Sequence, residues 1–83
     1  MMLPRDLSAA DLIKALAIFG YAITRRKGSH IRLTTQQLGE HHVTIPDHNP
    51  LRIGTLSSIL RDVAEHFGVS REELCRRLFG NGP

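Results

Sequence analysis

Gly28-Ser29-His30 follows a basic run, Arg25-Arg26-Lys27, and opens a predicted strand from His30 to Thr34. An imidazole ordinarily titrates near ~6.5, so it can both take and give a proton at neutral pH. RNA carries its own nucleophile, the 2′-hydroxyl beside each phosphate. Cleaving it needs a base for that proton, cations for the charge that builds on phosphorus, and a backbone held in line. His30 could be the base or the acid. Arg25, Arg26, Lys27 and Arg32 could hold phosphates, and Ser29 could bond a phosphate or merely shape the turn. A lone histidine beside a glycine turn is more commonly just a polar turn residue, so the tripeptide by itself leaves both readings open.

The elements that must position these residues follow from hydrophobic spacing. Leu12, Leu16 and Phe19 share one face of a predicted helix over 8–19, with Ile13 adjacent, Ser8 and Asp11 as a capping pair and Gly20 as the stop. A strand is expected over 21–27, with Tyr21 and Ile23 alternating against Ala22 and Thr24. Lys27-Gly28-Ser29 makes a turn. On the next strand, 30–35, Ile31 and Leu33 point to the core, so His30, Arg32 and Thr34 share the other face. A turn around Gly39 leads to a strand over 41–45, with Val43 and Ile45 inward and Thr44 outward. Pro46 ends it, and Asp47-His48-Asn49-Pro50 is a loop.

Ile53, Leu56, Ile59, Leu60, Val63 and Phe67 then predict a helix from about Gly54 to His66, capped at Gly54 or Thr55 and stopped by Gly68. Its free amide donors offer a generic phosphate seat. Ser70 and Glu73 form a capping box for a short last helix, with Leu74 and Leu78 inward. The order α-β-β-β-α plus a C-terminal helix is met most simply by an α+β fold. Its three-stranded antiparallel meander has the helices on one face and the other face free for a ligand.

Composition sets the bounds. Eighty-three residues, 41% of them hydrophobic, predict one domain over 1–83 with a modest core. No apolar run is long enough to span a membrane, and Met1 to Asp6 lacks a signal-peptide core. Cys75 is alone and reads as a filler of a helix near Arg76 and Arg77, and a cytoplasmic setting is expected. The net charge is only +3, but no acid occurs between Asp11 and Glu40, where Lys14, Arg25, Arg26, Lys27 and Arg32 all lie. A one-sided basic surface suits a polyanion, nucleic acid first among them; a solvated basic face without a partner is the alternative. His41 and His42 are sequential and face opposite sides of a strand, and no Cys pair accompanies them, so no zinc site and no cofactor is expected.

Five blocks taken together resemble a known family: Asp11–Leu16, Gly20-Tyr21, Lys27–His30, Val43–His48 and Gly54–Arg61. In order and spacing they look like the HicA (YcfA-like) toxin endoribonucleases of HicAB toxin–antitoxin systems. The resemblance implies a double-stranded-RNA-binding-domain-like fold. It further implies metal-independent cleavage of messenger RNA, growth arrest, and neutralisation by a HicB-type antitoxin from the neighbouring gene. The family's catalytic histidine falls on His30, and His48 matches its Pro-x-His position. Two departures stand out: Ser57 occupies a position often basic in the family, and Asp62–Ser70 runs slightly long. A non-catalytic RNA-binding module of the same fold, or a protein-binding module docking segments on its sheet, are the rival readings. Neither has need of a titratable imidazole after the Gly-Ser turn.

Overall fold

The computed structural model describes residues 3–80. The ends of the domain expected over 1–83, including Met1 and Met2 of the leader reading, lie outside the described residues. Helix α1 spans Ala9–Leu16 and tightens into a 3-10 turn over Ala17–Phe19; strands β1 (Ala22–Lys27), β2 (His30–Thr35) and β3 (His41–Pro46) follow. Helices α2 (Ile53–Phe67) and α3 (Arg71–Phe79) complete the chain. The sheet is a meander in the order β1-β2-β3, antiparallel throughout. Among the described residues, no helix is long and apolar enough to cross a membrane.

One face of the sheet makes the core. Ile31 and Leu33 of β2 and Val43 and Ile45 of β3 are buried against Leu12 and Leu16 of α1, Leu56, Leu60 and Val63 of α2, and Leu74 of α3. Cys75 is buried there as the expected filler, and burial pushes its thiol pKa up. Among the described residues the one buried polar side chain, Thr35, is satisfied: its Oγ1 donates to the Phe19 carbonyl at 2.7 Å and accepts from the Gln37 N–H at 3.1 Å. That bond requires the neighbouring turn to be bare. Gly20 has φ +82°, and a Cβ there would stand 2.9 Å from Thr35 Oγ1.

The helix ends follow local chemistry, with three departures from expectation. Ser8 and Asp11 form a complete reciprocal box, with Ser8 Oγ accepting from Asp11 N at 3.0 Å and Asp11 Oδ2 from Ser8 N at 3.3 Å. At α3 the box is only half made. Ser70 Oγ accepts from Glu73 N at 3.0 Å, but the Glu73 carboxylate turns instead to Arg76 and Arg77. The N-cap of α2 is Arg52, not Gly54 or Thr55, because the chain turns helical early and Leu56 N–H closes onto the Arg52 carbonyl at 2.9 Å. The third departure is in β1. Tyr21, just before it, is buried, but all six β1 residues are exposed, and Ile23 is 45% exposed. β1 is an edge strand whose inner side the helices do not cover.

Candidate functional site

The site is built on the hairpin β1–β2. Lys27 pairs with His30, so only Gly28 and Ser29 lie between the strands. Gly28 has φ +57° and Ser29 no positive φ, which is the Gly-first pattern of a type II′ turn. His30 thereby begins β2 at a fixed position. The hairpin tip is held from behind: Asp47 N–H donates to the Ser29 carbonyl at 2.6 Å, and the Asp47 carboxylate lies 3.6 Å from the Arg26 guanidinium.

Parity decides which cations join His30. Ala22 pairs with Thr34 and Ile23 with Leu33, but after a β-bulge Arg25 pairs with Arg32, Arg26 with Ile31 and Lys27 with His30. The extra residue moves Arg25 and Lys27 onto the outer face. Thr24 stays there too, its Oγ1 2.8 Å from Thr34 Oγ1. Arg26 is sent to the opposite side, towards Asp47.

The result is a shallow depression of about 310 Å³ lined by Arg25, Lys27, His30, Arg32 and Thr44. All five are exposed. No carboxylate lines it, and among the described residues none of the four charged or titratable side chains is in a hydrogen bond or ion pair. Three unpaired cations around one imidazole form a ready seat for a phosphate. Of the expected residues, the fold thus gathers His30, Arg25, Lys27 and Arg32. Ser29 stays in the turn, Arg26 is engaged elsewhere, and the start of α2 contributes nothing to the lining. Thr44 was not singled out from the sequence; its outward parity on β3 was the available signal, and its place opposite Arg32 required the register.

The remaining histidines do other work. The backbone of His48 ties its loop down, its carbonyl accepting from Ala9 N–H at 3.0 Å and its N–H donating to Pro46 O at 2.8 Å. His41 and His66 stack at 4.4 Å between centroids, with the Tyr21 hydroxyl 2.7 Å from His41 Nδ1 and the His66 ring bonded to the Gln37 carbonyl at 2.9 Å. His42 faces the other way, as alternation required. Its Nδ1 is 2.7 Å from Thr34 Oγ1 and its Nε2 2.8 Å from Glu40 Oε2. Among the described residues no group of three His, Cys, Asp or Glu side chains is placed to hold a metal ion.

A second depression of similar size lies between β3 and α2, lined by Arg61, Asp62 and Glu65 among others. Its mixed charge suits a polyanion poorly. Ser57, where a cation was expected, accepts a hydrogen bond from the Arg71 guanidinium of α3, so a positive charge stands at that position after all.

Residues 9–64 match the family model described as "HicA toxin of bacterial toxin-antitoxin". No curated protein and no solved structure matches the chain. The matched span holds both faces of the sheet, α1 and most of α2, and ends before α3.

Proposed function

Given that this chain belongs to the HicA toxin family, and so is the toxin of a bacterial toxin–antitoxin system, we propose that it is a metal-independent endoribonuclease that cleaves messenger RNA with His30 as its acid–base residue. The observation that carries the reading is the depression itself. An exposed imidazole is ringed by Arg25, Lys27 and Arg32 with no acid among its lining residues.

In this reading the scissile phosphate sits among those cations, which offset the charge growing on its oxygens in the transition state. His30 takes the 2′-hydroxyl proton or delivers one to the departing 5′-oxygen. The oxygen of the 2′-hydroxyl attacks phosphorus, the bond to the 5′-oxygen breaks, and a cyclic phosphate and a free 5′-hydroxyl result. Lys27, opposite His30 in the register, and Arg32, two residues along β2, hold the phosphate from two sides. Thr44 offers a hydroxyl from the third strand.

The partner follows from the same surface. A HicB-type antitoxin inhibits at least cost by laying acidic side chains over Arg25, Lys27 and Arg32 and covering His30. Its association then slows as salt rises, and RNA competes with it.

Purified protein incubated with single-stranded RNA in the presence of EDTA tests the activity. Cleavage is expected to persist with the chelator and to vanish in His30→Ala. The variant's stability should stay within about 0.5 kcal/mol of the parent, as at other exposed positions. A folded His30→Ala protein that still cleaves would remove the assignment. Activity lost to EDTA and restored by zinc would remove metal independence.

A further inference from the structure

The outer face of the sheet carries a second ordered imidazole that the cleavage chemistry does not use. Thr34 pairs with His42 across β2 and β3, and His30 pairs with Pro46, so His42 lies four residues from the His30 row on the same face. That is roughly 14 Å at ~3.4 Å per residue. One strand of a stacked duplex carries a nucleotide every ~3.4 Å, so the two rings cannot meet the same nucleotide. Between them stand Arg25, Arg32 and Thr44.

His42 is held in place. Thr24 Oγ1 meets Thr34 Oγ1 at 2.8 Å, Thr34 Oγ1 meets His42 Nδ1 at 2.7 Å, and His42 Nε2 meets Glu40 Oε2 at 2.8 Å. With a neutral ring whose Nε2–H donates to the Glu40 carboxylate, Nδ1 accepts from the Thr34 hydroxyl. Both ring nitrogens are then occupied, so a ligand meets the ring through its faces or its carbon edges. The His42 side chain is 41% exposed.

Two further facts decide what meets that ring. The Glu40 carboxylate beside it repels phosphate, whereas no carboxylate lines the depression around His30. Apart from His30 at the cleavage centre, the described residues give the outer face no other aromatic platform: Phe19 and Tyr21 are buried, and Phe67 and Phe79 pack against the core. We propose that His42 is a stacking subsite for a base of single-stranded RNA beyond the cleaved nucleotide, its ring pre-oriented by Thr34 and Glu40. The RNA would run along β2, with its phosphates passing Arg25 and Arg32. This rests on the reading of His30 as the cleavage centre. A ring already fixed loses little freedom on binding, and a stacked base commonly contributes about five- to a hundredfold in affinity.

The test measures binding of the full chain to a dinucleotide and to a longer single-stranded oligonucleotide, each with 2′-deoxy sugars so that neither is cleaved. His42→Ala is expected to weaken the longer strand about tenfold and leave the dinucleotide unchanged. His42→Phe, which keeps a flat ring without its hydrogen bonds, restores binding; His42→Gln, which keeps hydrogen bonding without the ring, does not. Rescue by Gln instead of Phe, or equal affinities for wild type and His42→Ala, overturns the subsite. So does tight binding of a polyglutamate chain with the same dependence on His42, since the occupant is then an acidic protein. Wild-type cleavage of the all-ribose oligonucleotide is scored separately. Its absence would overturn the role of His30 while the binding comparison still judges His42.

Discussion

Arg25 stands directly opposite Arg32 in the pairing of β1 with β2. Like charges placed across a ladder destabilise the sheet. Neither guanidinium is in an ion pair with a carboxylate among the described residues. The fold tolerates this repulsion beside His30, where an anion would relieve it.

Neutralising one member of that pair should therefore stabilise the free protein and weaken it as a binder. Arg25→Gln or Arg32→Gln is expected to raise unfolding free energy by a few tenths of a kcal/mol at low salt, a gain that fades as salt screens the charges. Affinity for RNA should fall in the same variants. Denaturant titrations at two ionic strengths check the first point; a loss of stability would mean that the two guanidinium groups do not repel.

The basic run should divide by parity. With a non-cleavable single-stranded RNA, Arg25→Gln and Lys27→Gln should each lower the slope of log affinity against log salt by about 0.7. Arg26→Gln should change it less, because Arg26 lies on the other side of β1 and faces Asp47 at 3.6 Å. An equal effect of all three would show that RNA reaches the far edge of β1.

Tyr21 should give the fold an alkaline limit. Burial and the nearby Asp62 push its phenol from the ordinary 10.0 up to about 12. The folded state holds that proton more tightly than the unfolded chain does, so the contribution is complete below pH 10 and is lost as pH rises towards 12. Melting temperature should drop across that window in the wild type, and Tyr21→Phe should flatten the drop. The variant also loses the bond to His41, so its melting temperature at neutral pH should be lower.

Glu73 should act at the acid end. Arg76 and Arg77 hold its carboxyl at about 2, below the ordinary 4.5. Its stabilising effect is present above pH 4.5 and disappears as pH falls towards 2. Glu73→Gln should make the melting temperature less steep with pH in that interval, and salt should shrink the difference between the two proteins because the group is exposed.

The alternation of β2 and β3 was fully legible in the chain. Ile31, Leu33, Val43 and Ile45 must be buried, and a period of two then forces His30, Arg32 and Thr44 outward. The helices were legible for the same reason, since their apolar residues repeat at helical spacing, and Gly28-Ser29 carried its own turn chemistry. β1 offered no such anchor. All six of its residues are exposed, so burial does not fix its parity, and plain alternation from Tyr21 and Ile23 would set Arg25 and Lys27 on the core side. Only hydrogen bonding to β2, with the bulge between Ile23 and Arg25, decides that these two cations join His30 and that Arg26 leaves it. The bond from Asp47 to Ser29 and the contact of Arg71 with Ser57 were likewise hidden, because they join residues far apart in sequence whose meeting depends on how the layers pack. The chain by itself thus determined the elements and the imidazole. The tertiary structure chose the charges around it, because an exposed edge strand takes its register from its neighbour and not from its own side chains.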